Sequence, residues 1–155
     1  MKFKAQTLRQ KMADYARLLK HDGDFDYSCI LDLLKFKLER TRRYIVGHHI
    51  VVDAGRIGQE IKEVEDLLGK VIKDDYDERF LSELTKKWGK LHYKNAKLPD
   101  GNYEFKYWHD KEDESNSGQI HKETRAAYRR AFAARQADLR KAFALMAKNI
   151  WGWWD

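Results

Sequence analysis

The chain has 155 residues and carries 31 Lys and Arg against 25 Asp and Glu, a net charge of +6. Its single cysteine, Cys29, excludes an internal disulfide framework, and no apolar run approaches membrane-spanning length. No apolar stretch follows Met1, so we expect no signal peptide and a cytoplasmic location.

Apolar residues at three- and four-residue spacing predict two helices in the first third of the chain. The first covers residues 6–20 and ends at the turn sequence HDGD, residues 21–24. The second begins with Asp26 as its cap, with Phe25 and Ile30 at the positions of a hydrophobic staple. Its apolar stripe consists of Tyr27, Ile30, Leu31, Leu34, Leu38, Thr41 and Ile45. We expect a break between Gly47 and Asp53, where β-branched residues follow His48 and His49.

Two further helices and a hairpin are predicted in the middle of the chain. A third helix covers residues 54–73, and a shorter fourth helix ends near Gly89. Pro99-Asp100-Gly101-Asn102 is a strong turn signal, and the alternation over residues 103–107 is strand-like. A small hairpin around residues 91–108 follows from these two signals. The polar segment 109–118 is expected to be a mobile loop.

A long C-terminal helix over residues 119–150 is predicted from strong helix formers. Its expected stripe is Tyr128, Phe132, Leu139, Ala142, Met146 and Ile150. The fold class is therefore mainly α: a bundle of about four to five helices with a long C-terminal helix, in one domain over residues 1–155.

The basic and acidic residues are segregated along the sequence. Residues 1–20 hold six basic and one acidic residue (+5), residues 53–84 five and ten (−5), and residues 118–150 eight and two (+6). This alternation favours self-association with a few focused basic sites, so a homo-oligomer is expected.

Two stretches carry a resemblance: DYSCILDLLKFKLER at residues 26–40 and ALMAKNIWGWWD at residues 144–155. Both resemble a loose group of small, mostly uncharacterised helical proteins encoded by tailed phages and prophages. The resemblance covers the two ends of the chain and brings no catalytic residues with it. It implies a phage origin, for which the expected cytoplasmic location is that of the host cell, and a role on host defence, host regulators or phage nucleic acid.

No motif for catalysis, a metal or a cofactor is recognised. The six histidines form neither HExxH nor a cysteine–histidine ligand pair, and Gly55 and Gly58 do not form a phosphate loop. We therefore expect no enzyme, no cofactor and no metal site. We expect the two glycines to allow close contact between helices.

Eight residues of the second and last helices form a candidate anion-binding set. Arginine suits phosphate oxygens, and tyrosine can stack on a base. The set is Lys35, Arg42, Arg43, Tyr44, Arg125, Tyr128, Arg129 and Arg130, and the aromatic residues 103–108 could add to it. The basic members could instead pair with the acids of the third helix.

Three functions fit such a set. The first is an oligomeric sponge that sequesters a nucleotide-type immune signal, as an anti-defence protein would. The second is a nucleic-acid-binding accessory protein, and the third is a protein–protein antagonist of a host factor. No membrane partner is expected.

Three tryptophans crowd the end of the sequence: Trp151, Trp153 and Trp154. Left in water they would form a costly apolar patch, so we expect them to dock on their own chain or on another subunit.

Overall fold

The computed structural model describes residues 7–20 and 28–154. Within these ranges the elements in chain order are α1 (Leu8–Leu19), α2 (Ser28–His48), α3 (Ala54–Lys73), α4 (Tyr76–Trp88), β1 (Leu91–Lys97), β2 (Tyr103–His109) and α5 (Ser117–Asn149). A 3₁₀ turn, Trp151–Trp153, follows α5. The predicted mainly α fold, with its long C-terminal helix and small hairpin, is confirmed.

The chain divides into two compact units. Unit 1 comprises the described residues of Met1–Asp74 and Gln136–Asp155, and unit 2 comprises Asp75–Arg135. Helix α5 contributes its residues up to Arg135 to unit 2 and the rest to unit 1. A single domain over residues 1–155 and mobility in residues 109–118 stay predictions.

The core of unit 1 forms where α2 packs along α3. Ile45, Ile61, Val64 and Leu68 are all fully buried there. The two helices approach closely at Gly58, where an added Cβ would lie 2.5 Å from the Cγ2 atom of Val46. The third helix therefore needs a residue without a side chain at this point.

Helix α1 is attached to α2 mainly through two contacts. The rings of Tyr15 and Phe36 meet edge to face at 5.3 Å, and Arg40 donates to Asp14 at 2.9 Å. None of its residues is buried. The helix begins with a reciprocal capping box between Thr7 and Gln10, which satisfies two of its free backbone donors.

In unit 2, β1 and β2 pair antiparallel with Leu91 opposite His109 and Lys97 opposite Tyr103. The turn lies at the predicted Pro99–Asn102 sequence. Gly101 has a φ of +87°, which favours glycine, and the backbone N–H of Leu98 donates to the carbonyl of Asn102 at 2.7 Å. Since side chains alternate along a strand, this register sends the odd-numbered residues of both strands to one face.

Two parts of the predicted helix stripes are wrong. Ile30 and Ile150 are exposed, and in α5 the rings of Tyr128 and Phe132 are exposed as well. The buried positions of this part of α5 are Ile120, Thr124, Ala127 and Ala131. Small side chains allow α5 to approach its neighbours, so the rings rather than the alanines are turned outward. The turn at 21–24 and the proposed start of the second helix at Phe25, Asp26 and Tyr27 lie outside the described residues.

Candidate functional site

The basic residues predicted on α2 are engaged in ion pairs within unit 1. Arg42 donates its Nε hydrogen to Oε1 of Glu65 at 2.7 Å, and Glu65 exposes only 3% of its side chain. Lys35 lies 2.9 Å from Glu39, and Arg43 lies 3.8 Å from the same carboxylate. The positive charge along this part of α2 is thus largely balanced by the protein itself.

Tyr44 is exposed beside this network. Its ring packs against His48 at 4.4 Å, with the two planes tilted by 32°. The Nδ1 atom of His48 lies 3.1 Å from the carbonyl oxygen of Tyr44. The imidazole therefore contacts the end of α2, as expected for a residue that ends a helix.

A cleft of about 380 Å³ lies on unit 1 between α3 and the C-terminal part of α5. Lys141 pairs with Glu63 at 2.8 Å, and Lys62 pairs with Asp66. The lining consists of Gln59, Lys62, Glu63, Asp66, Leu67, Lys70 and Lys141. It lacks the arginine and aromatic rim that a nucleotide pocket was expected to have.

The predicted arginines of α5 in unit 2 differ from the basic residues of α2 in their ion pairing. Arg125 and Arg129 are exposed, and neither forms an ion pair with any residue in the described ranges. They lie four residues apart, so they share one side of the helix. Arg130 lies with its guanidinium carbon 5.6 Å from the centre of the Phe80 ring, a cation–π contact. Arg125 and Arg129 therefore present uncompensated positive charge.

One face of the hairpin carries four aromatic side chains, Tyr93, Tyr103, Phe105 and Tyr107, which we call the aromatic face. Tyr93, Tyr103 and Phe105 expose 72%, 70% and 61% of their surface. The rings of Tyr93, Phe105 and Tyr107 follow one another, with centroids 6.2 Å apart for Tyr93 and Phe105 and 6.3 Å for Phe105 and Tyr107. Rings this exposed are available for stacking on an external planar group.

The aromatic face continues onto α5. The Tyr107 ring contacts His121 at 4.7 Å, and the imidazole of His121 lies 3.0 Å from Glu112. Burial, the negative charge of Asp77 and the nearby hydroxyls of Tyr107 and Tyr93 raise the pKa of Tyr128. Tyr128 is therefore neutral at physiological pH and borders the aromatic face on the same helix as Arg125 and Arg129.

The buried base of the hairpin holds this arrangement in place. His109 is buried, with Nδ1 3.0 Å from the carbonyl oxygen of Gly89 and Nε2 3.4 Å from the hydroxyl of Thr124. Trp88 donates its indole N–H to Glu123 at 2.7 Å and so connects α4 to α5. The contact between His109 and Thr124 thus joins β2 to α5 at the end of the hairpin opposite the turn.

The other hairpin face carries most of the strand lysines. Lys94 lies directly opposite Lys106, which pairs with Glu104 at 3.0 Å. The ring of Trp108 stacks on His92 at 5.6 Å, and His92 contacts Asp110 at 2.7 Å. Lys97 is on the aromatic face, opposite Tyr103. Of the strand lysines, Lys97 alone therefore shares a face with the aromatic side chains.

The tail tryptophans have two different environments. Trp153 is buried in the core of unit 1 and donates its indole N–H to Glu60 at 3.2 Å. Trp151 and Trp154 are exposed. Of the three tail tryptophans, Trp153 alone is docked on its own chain.

Among the described residues, no cluster of three or more His, Cys, Asp or Glu side chains is arranged to hold a metal ion. None of the helices in the described ranges combines the length and apolar character needed to cross a membrane. The chain matches no family model, no curated protein and no solved structure.

The site therefore combines predicted and unpredicted residues. Tyr128 was predicted and borders the aromatic face, and the predicted Arg125 and Arg129 lie on the same helix of unit 2. The other predicted residues, Lys35, Arg42, Arg43 and Tyr44, belong to unit 1. Tyr93 was not singled out. Its signal was the alternation within LHYKNAKL, which becomes informative only once β1 is paired with β2.

Proposed function

We propose that this chain is a non-enzymatic binding protein whose unit 2 binds single-stranded nucleic acid. The observation that carries the proposal is the aromatic face, because three of its four rings are more than 60% exposed. Helix α5, which contacts this face through His121, also carries the exposed and unpaired Arg125 and Arg129. Exposed aromatic rings stack on bases, while arginines bind the phosphates that connect them.

The open form of the surface favours a strand over a single nucleotide. Small-ligand sites are concave and bury about 70–90% of their ligand. Rings spread along a hairpin and a helix would leave most of one nucleotide in water, but could contact several bases of one strand in succession. The nucleotide sponge is therefore the less favoured use of the same residues.

Duplex DNA also fits this surface poorly. Its bases are stacked on one another, so their faces are not accessible to Tyr103 or Phe105. Binding of a duplex would rest on phosphate contacts alone, whereas a single strand adds about 1–3 kcal/mol for each stacked base.

The test is fluorescence anisotropy with short labelled single strands of DNA and RNA, a duplex of equal length and a mononucleotide competitor. The double variant Tyr103→Ala/Phe105→Ala should weaken single-strand binding by about 5- to 150-fold for each ring that stacks, following the stacking energy above. Arg125→Ala/Arg129→Ala should make the salt dependence less steep, by about 0.7 in the log–log slope per lost phosphate contact.

Matched controls come from unit 1. Tyr44→Ala removes an exposed tyrosine and Arg43→Ala an exposed arginine, and both should leave binding unchanged. Equal losses in the control and hairpin variants would overturn the location of the site. Stronger binding of the mononucleotide than of the strand would favour the sponge, and no binding of any of these ligands would leave the host-protein antagonist. The phage origin and the role against host defence stay predictions.

A further inference from the structure

The C-terminal turn is anchored by one tryptophan and exposes two others. Trp153 inserts into the core of unit 1, where its indole N–H reaches the carboxylate of Glu60. The flanking residues, Trp151 and Trp154, expose 83% and 57% of their surface. Because the turn is held by Trp153, these two rings are fixed on the outside of the unit.

The loop between α2 and α3 lies at the same end of unit 1. Glu60 also accepts a hydrogen bond from Arg56, and Arg56 pairs with Asp53 at 3.4 Å. This network connects the tail to the residue that follows Val52, which is almost fully exposed. We call the exposed apolar residues of this end the tail patch: Ile50, Val52, Ile150, Trp151 and Trp154.

The tail patch is large enough for a small interface. A tryptophan contributes about 150–250 Å² when buried, so the exposed parts of Trp151 and Trp154 offer on the order of 300 Å². The three aliphatic side chains bring this to roughly 500 Å² per copy, or about 1,000 Å² for two copies, the lower bound of a specific interface. Water contact with such a patch is unfavourable.

We propose that the tail patch pairs with the same patch on a second copy of this chain. In a two-fold dimer one surface meets itself, so it must be self-complementary in charge. The exposed rim meets this condition, because Arg56 and Asp53 both lie there and carry opposite charges. An anionic membrane surface would instead favour a rim of lysine and arginine.

The test is sedimentation velocity over a range of concentrations, with the full chain and no added ligand. The wild type should change from monomer to dimer as its concentration rises. Trp151→Ser/Trp154→Ser should stay monomeric at every concentration, and so should Val52→Glu, which places a charge within the apolar patch of each copy. Trp153 is retained in both variants, and circular dichroism checks that each is folded.

Ile30→Ser is the matched control. Ile30 is as exposed as the patch residues but lies in the first turn of α2, about 27 Å along the helix from His48. This variant should dimerise as the wild type does. A wild type that stays monomeric, or a dimer that survives both patch variants, would overturn the proposal. Equal loss of the dimer in Ile30→Ser would also overturn it, since the effect would not be local.

Discussion

Arg42 of α2 and Glu65 of α3 form an ion pair with 2.7 Å between Nε and Oε1. The hydrogen bond from Arg42 satisfies a carboxylate that is almost completely buried, and it raises the pKa of the guanidinium. The guanidinium of Arg42 therefore remains charged at any ordinary pH. A residue in this position stabilises the contact between two helices and is not available to an external phosphate.

Replacing Arg42 by alanine should lower the free energy of unfolding by about 3 kcal/mol, since Glu65 would remain buried without its partner. Arg43→Ala, one position further along α2, should change stability by less than about 0.5 kcal/mol, because that side chain is exposed. Urea unfolding measures both. Equal stabilities of the two variants would contradict the assigned role of the pair.

A second prediction concerns acid stability. Hydrogen bonds from Lys87, Trp88 and Gln119 lower the pKa of Glu123 from its ordinary value of 4.5 to about 2. A carboxylate with a lowered pKa stabilises the fold above the unfolded-state value, and this contribution is lost as the pH falls through the folded-state value. Part of the stability should therefore disappear between about pH 4.5 and pH 2.

Glu123→Gln should be less stable than the wild type near neutral pH, and its stability should depend less on pH across that window. Glu83→Gln, which alters an exposed carboxylate of α4, is the control. Urea unfolding followed by circular dichroism at several pH values gives the comparison. A Glu123→Gln profile parallel to that of the wild type would argue against the assigned hydrogen bonds.

A third prediction separates the two glycines of AGRIG. Gly58→Ala should be destabilising, because its Cβ would meet Val46 at 2.5 Å, while Gly55 has no atom within 4 Å of an added Cβ. Gly55→Ala should thus raise the free energy of unfolding by about 0.5–1 kcal/mol, the usual gain from alanine in a helix. Thermal unfolding of the two variants should shift in opposite directions. A gain for both would mean that α2 and α3 can separate at no cost.

Local signals were sufficient for most of the fold. The helix of Ala54–Lys73 follows from its apolar spacing, and the hairpin follows from Pro99–Asn102 with alternating aromatics. The side of α5 that faces its neighbours was not predictable in the same way. Tyr128 and Phe132 have the spacing of a stripe, but the alanines next to them allow closer packing.

The site was only partly predictable because pairing over long sequence separations decides which charges remain. Arg42 and Arg125 look alike in the sequence, yet Glu65 lies 23 residues from Arg42 and neutralises it. Trp153 and Trp154 are neighbours as well, and only packing separates a core residue from an exposed one. Such differences arise from tertiary contacts and leave no local pattern.

The register in which β1 pairs with β2 determines which face of the hairpin carries the aromatic side chains. Tyr103, Phe105 and Tyr107 share a face because Leu98–Asn102 closes the turn in one register. A slip of one residue would turn these rings to the side of Lys94, since the side-chain period of a strand is two. An insertion or deletion of a single residue in this turn would therefore separate the ring of Tyr107 from His121 of α5 while leaving every aromatic residue in the sequence.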